Sequence, residues 1–314
     1  MTILVTGASG FVGHALCSHF AKTGCTVRTI FRENAYVLDR SGAILMGDVG
    51  DGADWQGALA GISTVIHLAA RVHVMHETTA DPLAEFRRVN VLGTLNLARQ
   101  AAAAGVRRFV FISSVKVNGE STQTGVPFTA DDTPAPLDAY GISKMEAEQG
   151  LRELAIQTGM EVVIIRPPLV YGPGVKANFA AMMRWLQRGV PLPLGAIHNQ
   201  RSLVAIDNLV DLIVLCLKHP AAANQTFLVS DGEEVSTTEL LFRMGQAMGC
   251  PARLLAVPSS VLKLAGALLG KSDVVQRLCG SLQVDIAKTQ DLLGWTPPVS
   301  LGEGLRRTAW GSPR

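Results

Sequence analysis

Along the first half of the chain, short apolar runs alternate with longer stretches of helical spacing. Thr2–Thr6 is apolar and ends at glycines, while Ala15–Lys22 repeats its apolar positions at helical intervals and stops at Gly24. Thr26–Phe31, Ala43–Met46 and Thr64–Ala69 read as the second, third and fourth strands. Val89–Ala104 reads as a long helix closed by Gly105, and Phe109–Ser113 as the fifth strand. Tyr140–Thr158 is a helix stopped by Gly159, and Glu161–Ile165 is a sixth strand ended by Pro167 and Pro168. Strands that alternate with helices predict parallel β-α-β units with right-handed crossovers, hence an α/β fold with a doubly wound parallel sheet. After Arg166 the pattern changes. Pro and Gly cluster at 167–174 and 189–195, and strand-like runs return at Ser202–Ile206 and Thr226–Val229. From Ser236 the pattern is mostly helical, up to a Trp-Thr-Pro-Pro segment. The predicted division is a sheet domain over 1–170, rejoined by 201–230, and a smaller C-terminal lobe made of 171–200 and 231–314.

Composition narrows the partners. Of 314 residues, 48% are hydrophobic and 17% charged, enough to bury a large core and to exclude disorder. Lys plus Arg (28) nearly balances Asp plus Glu (26), so there is no electrostatic case for nucleic acid. No apolar run reaches the ~18 residues that span a bilayer. Leu209–Leu217 is short and carries Asp211. Val257–Leu269 is largely apolar, but only Lys263 within it and Lys271 beyond it are positive, so it is expected to be a buried helix of the lobe rather than a membrane-surface one. Met1 leads straight into a strand-like segment without a basic n-region or cleavage site, which predicts no signal peptide and a cytoplasmic location. The five cysteines are odd in number and form no CxxC pair, so free thiols in a reducing compartment are expected. The histidines are scattered, with no metal-ligand spacing, and no metal is expected.

The chemistry begins at Ile3–Gly13, where a strand, a glycine turn and a helix follow one another. Gly7 permits the tight turn, Gly10 lets the backbone approach a pyrophosphate, and Gly13 lets the helix pack close to the strand. The amides at the helix start then face the anion. This context marks a dinucleotide site of the Rossmann kind, with Gly7, Ser9, Gly10, Phe11, Val12 and Gly13 as its turn. The second strand ends in Phe31-Arg32-Glu33, where an NAD site usually places a carboxylate for the ribose. Arg32 suits a 2′-phosphate, so NADP(H) is favoured, and Glu33 keeps NAD(H) open. Asp48, followed by Val49, stands where the adenine is expected.

Tyr140 and Lys144 lie four residues apart and so share one helix face. An ammonium beside a phenol favours phenolate, and the pair is expected to lower the tyrosine pKa and run acid–base chemistry on a carbonyl or alcohol. With only three tyrosines in the chain, a chance pair is less common. Ser113-Ser114 ends the fifth strand at the edge where open parallel sheets bind ligands. Ser114 is placed to hydrogen-bond the substrate oxygen, and Ser113 to point the other way.

Together these residues resemble the extended short-chain dehydrogenase/reductase family, in its nucleotide-sugar branch. The matching pieces are Thr6–Gly13, Gly47-Asp48-Val49, His67-Leu68-Ala69-Ala70, Asn90, Ser113-Ser114, Tyr140 to Lys144, and Arg166–Gly174, in family order over about residues 1–175. The resemblance implies Tyr140 as proton donor and acceptor, assisted by Ser114 and Lys144, with Lys144 also on the nicotinamide ribose. It implies Leu68, Ala69, Ala70 and Pro167 beside the cofactor. It also implies Arg201, Asn178 and, more loosely, Arg277 as holders of a nucleotide diphosphate. Its dehydratases carry an acidic pair where this chain has Val115-Lys116, so dehydration is rejected. Asn118 replaces a frequent tyrosine. The runs Ser113–Glu120 and Ser281–Asp285 are most similar to enzymes that reduce UDP-4-keto-6-deoxy-N-acetylhexosamines for bacterial surface polysaccharide (lipopolysaccharide O-antigen). An NADPH-dependent 4-ketoreductase is therefore expected, ahead of a UDP-hexose 4-epimerase with bound NAD. A dihydroflavonol- or steroid-type reductase fits less well, because of Arg201. A non-catalytic NADP-binding regulator stands last, because Tyr140 and Lys144 are both present. The resemblance also implies a homodimer through the helices 89–104 and 140–158.

Overall fold

Parallel strands buried on both faces read as near-continuous apolar runs, and the first half of the chain folds accordingly. The structure is a computed structural model that describes residues 2–32, 43–46, 50–72 and 81–311. In chain order it contains β1 (Ile3–Thr6), α1 (Phe11–Thr23), β2 (Val27–Arg32), β3 (Ala43–Met46), α2 (Gln56–Leu59) and β4 (Thr64–His67). Next come α3 (Pro82–Phe86), a π-helical turn at Arg87–Gly93, α4 (Thr94–Ala103), β5 (Arg108–Ile112), α5 (Ala139–Thr158), β6 (Glu161–Arg166) and β7 (Leu169–Tyr171). The chain continues with α6 (Ala177–Gln187), β8 (Arg201–Ala205), α7 (Ile206–Cys216), β9 (Thr226–Leu228) and β10 (Glu234–Val235). It ends with α8 (Thr237–Ala247), α9 (Ser259–Leu268), α10 (Ser272–Cys279), α11 (Ala287–Leu293) and α12 (Leu301–Trp310).

The main sheet has seven strands in the order β3-β2-β1-β4-β5-β6-β9. Every pairing in it is parallel, with Ile3 opposite both Val27 and Thr64, and Phe109 opposite Val162. Strand alternation sorts the side chains into two layers. Ile3, Val5, Val110 and Val163 pack with Leu16 and Phe20 of α1 and with Leu209 and Ile213 of α7. Leu4, Val65, Phe109 and Val162 pack on the other face with Leu97 of α4 and Leu151 of α5. This is the doubly wound Rossmann-like arrangement that the alternation predicts.

The lobe has its own core of Tyr171, Phe179, Leu203, Leu240 and Leu301 around a three-stranded sheet, β10-β8-β7. Of the stretch 201–230, β9 joins the main sheet and α7 packs on it, whereas β8 pairs with β7 and β10. Helix ends follow local chemistry. Gly24 and Gly159 close α1 and α5 in the left-handed conformation, and Asp138 caps α5 by accepting from the Gly141 amide at 2.7 Å.

Two expectations are corrected. The single helix expected over 89–104 is a π-helical turn followed by α4, because Asn90 faces inward and its amide bridges to residues outside the helix. The expected burial of Val257–Leu269 fails. Gly266 is the buried residue of α9, while Leu264 and Leu268 are 64% and 80% exposed. The apolar pattern reports that α9 has an apolar face; it does not report what covers that face. No helix among the described residues is long and apolar enough to cross a membrane.

Candidate active site

The carboxyl end of the sheet gathers the glycine turn, the end of β5 and the start of α5. Gly7 has φ +69°, a conformation that glycine tolerates and other residues resist. A Cβ there would lie 2.7 Å from the Ala69 nitrogen, and a Cβ on Gly13 would lie 2.7 Å from the Ala8 Cα. Both glycines thus let main chain approach main chain, β4's end against the turn and α1 against β1. The turn is closed by the Gly10 amide donating to the Gly7 carbonyl at 2.9 Å. Gly10 caps α1 without a side chain, and Ser9 and Gly10 are exposed, so the first amides of a 13-residue helix open onto the sheet edge. That cradle fits a dinucleotide pyrophosphate. Phe11 lies 3.6 Å from where a Gly172 Cβ would stand, so the loop after β7 faces the helix start. Phe31 is half-buried at the end of β2 beside Arg32. Asp48 and Val49 lie outside the described residues, as does the side chain of Arg32.

The segment after β4 is held in place. Thr6 shares a hydrogen bond of 2.7 Å with His67 Nδ1, and Thr94 one of 2.9 Å with His67 Nε2. Burial, aided by the nearby Lys144 charge, pushes the His67 imidazole down to about 3, so it stays neutral. Leu68, Ala69 and Ala70 follow, half-buried, along the glycine turn. Asn90 then clamps Arg71, accepting from its amide at 2.8 Å and donating to its carbonyl at 3.0 Å. The same Asn90 amide donates to Ser143, which donates to the Tyr140 carbonyl at 2.8 Å.

Ser114, Tyr140 and Lys144 meet at this edge. Ser114 is hydrogen-bonded to the Tyr140 phenol. Lys144 Nζ donates to the Ile112 carbonyl at 2.8 Å and sits 4.4 Å above the Phe111 ring. It lies 6.0 Å from the Tyr140 ring centroid. Phe86 stacks edge-on against that ring at 6.1 Å. The expected lowering of the tyrosine pKa is corrected. Burial first, and the Asp138 charge second, push the phenol up to about 12, and the Ser114 hydrogen bond only partly opposes them. Burial also brings Lys144 down to about 7 against the charge of Glu148, which weakens the ammonium meant to stabilise a phenolate.

Behind the serine pair lies a buried polar network. Ser113 points away from Ser114 and donates to Glu148 at 2.6 Å. Arg166 donates to both Glu148 oxygens at 2.9 and 2.6 Å, and to Asn118 at 3.1 Å. Pro167 continues from Arg166, its carbonyl accepting from the Val115 amide at 3.0 Å. Sequence reasoning passed over Glu148. Its one available signal is its place one helical turn beyond Lys144, on the same face. Lys116 is tied to Glu120 and to the helix cap Asp138, so a cation occupies the place where the dehydratase pattern has an acid.

In the lobe, Arg201 donates to the Arg277 carbonyl at 2.6 Å and to the Gly280 carbonyl at 3.2 Å. Its charge is largely desolvated, which lowers its pKa. The structure therefore brings Arg201 and Arg277 together, with the Arg277 side chain exposed. Asn178 stands exposed in the first turn of α6, on a separate element.

A half-buried phenol, a lysine and a serine at the edge of a Rossmann sheet define a dinucleotide-dependent oxidoreductase architecture. The family described as NAD dependent epimerase/dehydratase matches residues 3–230, and this chain belongs to it. A UDP-glucose 4-epimerase from Vibrio cholerae is 51% identical over 98% of this chain and 94% of its own. An Escherichia coli O157:H7 protein, N-acetyl-alpha-D-glucosaminyl-diphospho-ditrans,octacis-undecaprenol 4-epimerase, is 29% identical over 98% of this chain and 93% of its own. MoeE5, solved in complex with UDP-glucuronic acid and NAD, superposes at a TM-score of 0.79 with 26% identity, over 99% of this chain and 98% of that one. The chain is thus an enzyme of the NAD-dependent short-chain dehydrogenase/reductase type.

Proposed function

We propose that this enzyme carries out oxidoreduction at C4 of a UDP-linked hexose. The observation that carries the reading is the convergence of Ser114, Tyr140 and Lys144 beside the glycine cradle. A nicotinamide dinucleotide bound at that cradle supplies or accepts the hydride. The chain's own groups handle the proton. A phenol held at about 12 is protonated at neutral pH and is ready to donate to an oxygen that gains charge. Ser114 hydrogen-bonds the same oxygen, and Lys144 orients the ribose and steadies the phenol after transfer. Arg201, Asn178 and Arg277 are assigned to the diphosphate, so residues 171–200 and 231–314, with β8, serve as the sugar-nucleotide lobe, and 1–170 with α7 and β9 as the dinucleotide domain.

The protonated phenol suits reduction, and the first reading is an NADPH-dependent reductase of a UDP-4-keto-6-deoxy-N-acetylhexosamine for surface polysaccharide. The similarity of Ser113–Glu120 and the Phe31-Arg32 strand end support it. The second reading is a UDP-hexose 4-epimerase with retained NAD, favoured by the 51% identical Vibrio cholerae relative. We place the enzyme in the cytoplasm, as a homodimer through α4 and α5, which lie side by side; light scattering that returns a monomer mass would remove the dimer.

The discriminating assay follows NADPH and NADH absorbance with freshly generated UDP-4-keto-6-deoxy-N-acetylglucosamine. Oxidation is expected with NADPH, and Tyr140→Phe is expected to lower the rate by about 10²- to 10⁴-fold. No oxidation with either dinucleotide, together with tightly bound NAD and interconversion of UDP-glucose and UDP-galactose, selects the epimerase. Neither activity sinks both readings.

A further inference from the structure

Ser114 and Tyr140 come from different elements, the end of β5 and the start of α5, yet proton transfer needs their oxygens within one hydrogen bond of each other. The residue that touches both sides is Lys116. After Ser114 the chain makes a single 3₁₀ turn, Val115–Val117. In that turn the Lys116 amide donates to the Ser114 hydroxyl oxygen at 3.3 Å, which leaves the Ser114 proton for the Tyr140 oxygen. The turn lies against the first turn of α5. A Cβ on Gly141 would lie 2.9 Å from the Lys116 carbonyl oxygen, so the contact needs a glycine there. The Lys116 side chain then reaches the cap of the same helix. Its ammonium donates to one oxygen of Asp138, whose other oxygen accepts from the Gly141 amide at 2.7 Å. Glu120 accepts a further bond from the ammonium at 2.9 Å.

The side chains of Lys116 and Asp138 are 32% and 28% exposed, so the pair is partly withdrawn from the water that weakens surface ion pairs. Burial works to lower the Lys116 pKa, but the hydrogen bonds to Asp138 and Glu120 outweigh it and raise the pKa, so the ammonium stays charged at neutral pH. We propose that Lys116 is a positioning residue for the proton-transfer pair: its amide seats the Ser114 oxygen, and its ammonium ties down Asp138, the cap of α5, so that the Tyr140 phenol is held at that oxygen. This role rests on the reading that Ser114 and Tyr140 act together on a sugar oxygen. An apolar side chain at 116 keeps the main-chain bond to Ser114 and the Asp138 cap, and loses only the tie between them.

Lys116→Met and Lys116→Arg in the full chain test this. Lys116→Met is expected to lower kcat by about tenfold or more while KM for the sugar nucleotide stays within about twofold, because misplacement acts on the transition state and leaves the diphosphate contacts alone. Dinucleotide affinity by calorimetry is expected to hold, since the glycine cradle is untouched. Lys116→Arg restores a cation to Asp138 and is expected to recover most of the rate. Hydrogen exchange reads the same tie without any sugar. The Gly141 and Ile142 amides, both bonded to Asp138, are expected to exchange about fivefold faster in Lys116→Met and at the wild-type rate in Lys116→Arg. Unchanged exchange in Lys116→Met overturns the role, whatever the substrate proves to be. So does a wild-type kcat in Lys116→Met, a kcat loss that Lys116→Arg does not recover, or a loss shared by dinucleotide affinity. Wild type that turns over neither UDP-sugar removes the sugar reading alone, and faster exchange in Lys116→Met, reversed in Lys116→Arg, then still supports the tie.

Discussion

Lys144 shows how one buried charge sets the balance of the site. It is 2% exposed, and burial brings it from 10.5 down to about 7. The unfolded lysine stays near its ordinary value, so between these two values the unfolded state binds more protons and stability rises with pH. Holding this group at neutral pH costs on the order of 4 kcal/mol. Lys144→Met removes the charge and leaves the Ile112 carbonyl without its donor, a loss of about 1–3 kcal/mol. Near pH 7 the variant is therefore expected to equal or exceed wild type in urea denaturation, and near pH 10 wild type is expected to overtake it. Parallel curves across that range would refute the assigned cost. A second residue-scale expectation concerns Arg166, which is paired with Glu148 where neither is exposed by more than 1%. Arg166→Met leaves that buried carboxylate only the exposed Arg152, at 2.9 Å, and the Ser113 hydroxyl, at 2.6 Å, and is expected to lower stability by about 3 kcal/mol, read as the shift in urea midpoint at unchanged slope.

At the scale of elements, the turn between β1 and α1 was readable because everything it needs is local. Three glycines at fixed spacing specify the main-chain approaches found at Gly7 and Gly13. Gly13→Ala puts a methyl against the main chain of the turn, so α1 must move off β1. Dinucleotide affinity is expected to fall by about tenfold or more, with about 1–3 kcal/mol of lost stability. Gly24→Ala is the contrast: φ is +67° but nothing lies within 4 Å, so it should cost only stability. Titration calorimetry with both dinucleotides separates the two, and equal affinities would remove the special role of Gly13. The strands of the main sheet, β8 and α5 were readable within a residue or two, from apolar runs and glycine stops, whereas the short β7, inside a Pro/Gly cluster, and the two-residue β10 were not. The π-helical turn was not, because it depends on Asn90 bridging to Arg71 and Ser143 on other segments. Nor were the phenol near 12 and the Glu148–Arg166 pair, since spacing along a helix says nothing about what a strand eighteen residues later will bury against it.

For the molecule as a whole, one carboxylate gathers hydrogen bonds from both sides of the joint between the two sheets. Asp231 follows β9, the last strand of the main sheet. It accepts from the Tyr171 hydroxyl of β7 at 2.6 Å, from the Ala205 amide ending β8 at 2.7 Å, and from Asn208 of α7 at 2.7 Å. Asn208 in turn holds both main-chain groups of Val299, just before α12. Three donors from three elements therefore converge on one buried side chain, and the lobe is positioned over the sheet edge through it. Asp231→Ala leaves those donors without their acceptor, and the expected loss is about 3 kcal/mol or more. Positioning rather than the glycine cradle should suffer, so dinucleotide affinity is expected to hold while KM for the sugar nucleotide rises. Calorimetry beside steady-state kinetics measures both, and a variant that loses dinucleotide and sugar affinity alike would show that the carboxylate supports the whole fold rather than the seat of the lobe.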